Sequence, residues 1–185
     1  MKAVIYPRPG PPDVLELVEV PTPVPKDSEM LIRVYAATVT AGDVNIRGMR
    51  FPAAFWLIMR VLYGARRPEI PVPGTELAGV VKAVGKDVRR FAEGDQVFGS
   101  TGMRFGANAE YVCMSEDGVV VRKPTNVTFE EATAVPFGAL TALHFLRKGN
   151  IRRGQKVLIN GASGGVGTAA VQVAKHYGAD VTVVC

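Results

Sequence analysis

The chain has 185 residues, room for one compact domain or for one small domain and part of another. Its 48% apolar and 21% charged residues are the mixture of a globular protein and exclude a disordered tail. The 22 basic residues outnumber 17 acidic ones only mildly, giving +5, and they fall as scattered pairs such as Arg66-Arg67 and Arg89-Arg90. A nucleic-acid surface needs a denser stripe interleaved with aromatics, so no nucleic-acid partner is expected.

Residues 1–10 carry one lysine, a short apolar run and then Pro7 and Pro9, which reads as a first strand and not a signal peptide. Strands are expected over Ala3–Tyr6, Leu15–Val20, Met30–Ala37, Glu76–Val84, Gln96–Gly99, Ala109–Met114 and Val119–Arg122. Turn signals such as Gly85-Lys-Asp87 and Glu93-Gly-Asp95 separate them, and strands this short and frequent suggest a partly open β-barrel. The most apolar stretch, Phe51 to Tyr63, contains Pro52 and Arg60 and is too short to span a bilayer; it reads as a helix packed on the barrel or as a pocket wall. Cys113 and Cys185 form no CxxC and have apolar neighbours, so buried thiols in a reducing compartment are expected, and the cytoplasm with them.

The text changes near Lys123-Pro124. Thr128-Phe-Glu-Glu131 is a capping box opening a short helix; Pro136 interrupts, and Ala139–Lys148 reads as another helix stopped by Gly149. Strand Lys156–Asn160 runs into a dense glycine turn, then a helix from about Gly165 to Tyr177 with Gly178 as its stop, then strand Val181–Cys185. Strand, helix and strand in this order make one parallel βαβ unit.

The turn is the chemically loaded element. Ala162, Gly164 and Gly167 give AxGxxG, which also reads GxxGxxG from Gly161. Placed between a strand and a helix, such glycines let the backbone approach a dinucleotide pyrophosphate, whose charge sits on the N–H groups of the helix start. The set Gly161, Ala162, Ser163, Gly164, Gly165, Val166 and Gly167 is therefore the expected cofactor site. Gly165 and Val166 offer their N–H groups, and Gly167 gives close helix–strand packing. The ribose-reading acid belongs about twenty residues on, beyond Cys185, so NAD and NADP cannot be told apart from spacing. A lone βαβ unit leaves Val157, Leu158, Ile159, Val181 and Val183 partly bare. The expectation is a piece of a longer protein, or cover from another chain.

Several blocks, taken together and in order, resemble the N-terminal part of the medium-chain dehydrogenase/reductase superfamily, in its zinc-free quinone oxidoreductase and enoyl reductase-like branch. They are Met1-Lys-Ala-Val4 with Gly10–Leu15, Ala36–Asp43 with Ile46-Arg-Gly48, and Pro73–Gly79; Gly94–Phe98, Ala109-Glu-Tyr111, Leu140-Thr-Ala142 and the glycine turn follow. The resemblance implies a mixed α/β chain: a GroES-like catalytic β-barrel over residues 1–124, then the truncated start of a Rossmann domain over 125–185. It also implies a full length near twice this one.

The zinc-using branch carries a cysteine where Thr40 stands and a histidine where Thr75 stands. Hydroxyls replace thiolate and imidazole poorly, so no metal is expected, and Glu76 is read as structural. His144 and His176 fall in helices and are read as packing or surface groups. The resemblance implies NADPH as cofactor and hydride transfer to a quinone or an α,β-unsaturated carbonyl, a small-molecule substrate. Candidates lining the substrate site are Thr40, Asn45, Arg47 and Tyr63, with Asp43 tying down the loop. Thr141 matches the family threonine at the nicotinamide end. By this reading residues 1–185 alone are inactive. The alternative is a non-catalytic binding module keeping the barrel and part of the cofactor site, and a nucleic-acid-binding relative is a weaker third. Oligomeric state stays open, a homodimer included.

Overall fold

The computed structural model describes residues 1–52 and 72–185. By packing, the chain divides into Met1–Thr133 and Ala134–Cys185. The expected helix or pocket wall beyond Pro52, with Tyr63, lies outside the described residues.

In the first unit β1 (Lys2–Ile5) pairs antiparallel with β2 (Glu16–Glu19). A five-stranded antiparallel sheet is built from β3 (Glu29–Ala37), β4 (Glu76–Val84), β5 (Gln96–Ser100), β6 (Tyr111–Ser115) and β7 (Val119–Arg122) in the order β6-β3-β4-β5-β7. Alternate side chains from every strand enter one core: Met30 and Ile32, Leu77 and Val81, Val97, Val112 and Met114, and Val120, closed by Phe91 and Ala107. Two glycines are required where strands press together. A Cβ on Gly79 would stand 2.1 Å from the Arg33 carbonyl oxygen, and one on Gly99 would stand 2.1 Å from that of Val119.

The expected strand Ala109–Met114 begins two residues late for a physical reason. Ala109 forms only an isolated bridge to Ala3, and the Glu110 N–H donates to the Lys2 carbonyl (3.0 Å), so this stretch serves β1 before it joins β3. The helix α1 (Ala41–Arg47) follows β3. Helix α2 (Phe129–Thr133) carries the Thr128/Glu131 capping box, with bonds of 2.8 and 3.2 Å. Its Phe129 stacks on Tyr35 of β3 at 4.8 Å, and Ala132 and Thr133 are buried, which ties α2 to the first unit.

The second unit comprises α3 (Pro136–Lys148), β8 (Lys156–Asn160), α4 (Gly165–His176) and β9 (Asp180–Val184), with β8 and β9 parallel. Pro136 opens α3 and does not interrupt it, because a proline at the first helical position loses no hydrogen bond and brings a helical φ. Leu158, Val183 and Val184 of the strand pair are exposed. Among the described residues no helix is long and apolar enough to cross a membrane.

The cysteines differ from expectation. Cys113 is half-buried in β6, but Cys185, the residue after β9, is exposed. Burial, with the nearby Glu29 carboxylate, pushes the Cys113 thiol up to about 11. At pH 8 only on the order of a thousandth of it is thiolate. Brief iodoacetamide treatment followed by peptide mass spectrometry is expected to alkylate Cys185 and leave Cys113 largely intact. Equal labelling would contradict this placement.

Candidate functional site

The first part of the site is α1, the stretch holding three of the sequence candidates. Sequence reading missed this helix, although its start carries the same signal as α2. Thr40 is its N-cap and Asp43 its third residue, forming a reciprocal capping box. The Asp43 N–H donates to Thr40 Oγ1 (3.3 Å), while Asp43 Oδ2 accepts from the Thr40 N–H (2.7 Å) and from its hydroxyl (2.8 Å). Asp43 Oδ1 accepts from the Gly74 N–H (3.2 Å), so one buried carboxylate joins α1 to the loop before β4. The fixed loop holds Thr75, whose carbonyl accepts from the Thr101 N–H (2.8 Å). The next residue, Glu76, is buried and accepts from the Thr38 hydroxyl (2.6 Å).

The two faces of α1 differ. Asp43 and Arg47, four residues apart, line a cavity of about 560 Å³ whose walls come from β1, β2, β3 and residues 107–110. Val4, Leu17, Val34, Tyr35 and Val39 make it mainly apolar. Arg47 Nε is buried there and has no hydrogen-bond partner among the described residues. Asn45, on the opposite face, is exposed and does not line the cavity. The structure thus gives Thr40 a capping task, Asn45 an open position and Arg47 a place in the cavity wall. Tyr63 lies outside the described residues. Among those residues, no three His, Cys, Asp or Glu side chains gather in a group that could hold a metal ion.

The second part is the turn between β8 and α4. Gly161 has φ 73°, and the Gly161 and Ala162 N–H groups both donate to the Val184 carbonyl (2.8 and 3.0 Å), so the turn is anchored to the end of β9. A Cβ on Gly167 would stand 2.1 Å from the Gly161 carbonyl oxygen, and one on Gly138 of α3 would stand 2.9 Å from that of Gly165. The backbone therefore touches backbone on both sides. Ser163 and Gly164 are exposed at the outside of the bend. The N–H groups of Gly165, Val166 and Gly167, the first three of α4, have no acceptor among the described residues. Thr141 sits half-buried midway along α3.

Comparison with known proteins fits this layout. The alcohol dehydrogenase GroES-like domain family matches residues 26–125. This chain belongs to that family. It falls in the quinone oxidoreductase branch of the medium-chain dehydrogenase/reductase superfamily, as the sequence blocks imply. It is 35% identical over 181 residues to a quinone oxidoreductase of Homo sapiens, covering 96% of this chain and 50% of that protein. It is 36% identical over 184 residues to a 2-methylene-furan-3-one reductase of Solanum lycopersicum, covering 95% and 44%. Among solved structures it is similar to the Escherichia coli quinone oxidoreductase complexed with NADPH, with a TM-score of 0.80 at 28% identity over 99% of this chain and 52% of the other. The chain spans about half the length of the relatives it matches.

The Asp43 carboxylate can be tested on its own. Asp43→Ala removes the reciprocal half of the capping box, freeing the Thr40 N–H, and strands the buried Gly74 N–H, losses of about 1 and about 1–3 kcal/mol. Urea unfolding is expected to show a loss of about 2–4 kcal/mol. A loss below about 0.5 kcal/mol would mean that the carboxylate is not what holds α1.

Proposed function

We propose that this chain supplies part of an NADPH-dependent, zinc-independent reductase of quinones or α,β-unsaturated carbonyl compounds. The observation that carries the reading is the turn before α4. Three successive N–H donors lie there without an acceptor among the described residues, at a bend where Gly167 leaves no room for a side chain, which suits a doubly charged diphosphate. The fit is chemical as well as steric, since α4 is long enough to direct a positive N-terminal end at the same point. Gly165 and Val166 hold the diphosphate in this reading, with Gly161, Ala162, Ser163 and Gly164 shaping the bend and Thr141 toward the nicotinamide end. The choice of NADPH rests on the family likeness and on the Escherichia coli relative being solved with NADPH.

When bound, the reduced nicotinamide supplies a hydride to the electron-poor carbon of the substrate. The chain's own task is to hold the substrate and to meet the negative charge growing on its oxygen. Thr40 is poorly placed to donate a proton, because its hydroxyl is already shared with Asp43. The Asn45 amide is exposed and makes no side-chain hydrogen bond among the described residues, so it is the better donor toward that oxygen. Zinc has no role in this reading, because the residues at the matching positions, Thr40 and Thr75, are hydroxyls and not thiolate or imidazole.

The reaction is assigned to a polypeptide of the relatives' full length carrying this chain. NADPH oxidation with a simple quinone is expected to proceed there and to survive chelators, and residues 1–185 alone are expected to give no turnover. Gly167→Val in the full-length protein is expected to weaken NADPH binding at least tenfold, equivalent to more than about 1.4 kcal/mol. Loss of activity on metal removal would sink the assignment, as would unchanged NADPH affinity in the valine variant.

A further inference from the structure

Asparagine is a thermolabile residue, and the rate at which its amide is lost depends on the residue that follows. The chain has five asparagines, and four of them precede a side chain that crowds the next backbone nitrogen: Asn45-Ile46, Asn108-Ala109, Asn126-Val127 and Asn150-Ile151. The fifth, Asn160, precedes Gly161, which has no Cβ and leaves the backbone free to bend.

Asn160 is the last residue of β8 and pairs with Val184, the last of β9. The chain turns at once, Gly161 having φ 73°. One hydrogen bond restrains the glycine nitrogen: its N–H donates to the Val184 carbonyl (2.8 Å), an acceptor it shares with the Ala162 N–H (3.0 Å). This bond lies at the end of the β8–β9 pairing, and end pairs open more readily than pairs in the middle of a sheet.

We propose that Asn160 is a site of spontaneous modification, losing its amide through a succinimide ring closed by the Gly161 nitrogen. Once the Val184 bond opens, that nitrogen attacks Asn160 Cγ. The N–Cγ bond forms, the Cγ–Nδ2 bond breaks, and Nδ2 leaves as ammonia with the proton given up by Gly161. Water then opens the ring at either carbonyl. One opening gives aspartate; the other gives isoaspartate, with the main chain routed through Cβ. Nothing is oxidised or reduced. Both products place a carboxylate one residue before the glycine turn. Isoaspartate also lengthens the main chain there by one carbon, where a Cβ on Gly167 would already stand 2.1 Å from the Gly161 carbonyl oxygen, so the packing of α4 on the turn is disturbed. The inference lies wholly in the second unit, needs no nucleotide and does not rest on the reductase reading.

The test ages the 185-residue protein in mildly alkaline buffer, one sample folded and one in concentrated urea, beside an unaged control. Trypsin then releases residues 157–175, which carry Asn160 and no other asparagine. The mass gain of deamidation is expected on this peptide at least about tenfold faster than at any other asparagine, in both samples. It is expected to be slower in the folded sample, because the Val184 bond must open first. Isoaspartate in the same peptide is expected from its labelling by an isoaspartyl methyltransferase. Asn160→Gln, whose longer side chain closes no succinimide, is expected to abolish the mass gain. Ageing is expected to lower the urea midpoint of the wild-type chain and to leave that of the glutamine variant unchanged. Should that variant fail to fold, the folded and urea-treated wild-type samples decide alone. The proposal is overturned if another asparagine converts as fast as Asn160, or if the folded chain stays intact while the urea-treated chain is largely converted. Equal conversion of the two samples overturns it as well, as does an equal loss of stability in the aged glutamine variant.

Discussion

One buried carboxylate sets the geometry around α1 in the first unit. The Asp43 carboxylate accepts three bonds, from the Thr40 N–H and hydroxyl at the cap of α1 and from the Gly74 N–H in the loop before β4, while the Asp43 N–H donates a fourth to Thr40 Oγ1. A seven-residue helix has little stability of its own, because nucleation is unfavourable and few internal bonds repay it. Its position therefore comes from these side-chain-to-backbone bonds and from what the helix packs on. Everything that α1 presents inherits that fixing: Asn45 outward on one face, Arg47 inward on the other.

The second unit solves a different problem with the opposite means. Where the first uses a charged side chain to organise backbone, the turn before α4 removes side chains so that backbone can organise itself. Gly167 lies against the Gly161 carbonyl and Gly138 against that of Gly165, and the donors left at the helix start point outward. The sheet core of Met30, Ile32, Leu77, Val81 and Val97 supports the first device, and the parallel pair β8–β9, anchored through Val184, supports the second.

Much of this was legible in the sequence, and the reasons are particular. β4 and β8 were read with correct ends because their apolar runs are bounded by strong turn signals, Pro73-Gly74 and Gly85 for one, Gly154 and Gly161 for the other. The strand, turn and helix around Gly161–Gly167 were legible because close backbone contact needs glycine, which the spacing encodes directly. Helix α1 escaped because Gly42 and a length of seven residues hide a 3.6-residue period, though Thr40-Ala-Gly-Asp43 carries the capping signal. Pro136 was misjudged because proline stops a helix from within and favours one from its first position. The cavity beside Arg47 could not have been read at all. It is an open groove lined by β1, β2, β3 and residues 107–110, brought together only by long-range strand pairing.

The bare main chain around the turn also narrows what a protein engineer can do there. No methyl group fits at Gly138 or Gly167 without moving a neighbouring carbonyl, whereas Gly165 faces open space and Ser163 is exposed. A side chain can be added without displacing backbone at Gly165 and with only an ordinary contact at Gly164, so variation in this bend is steered to its outer side.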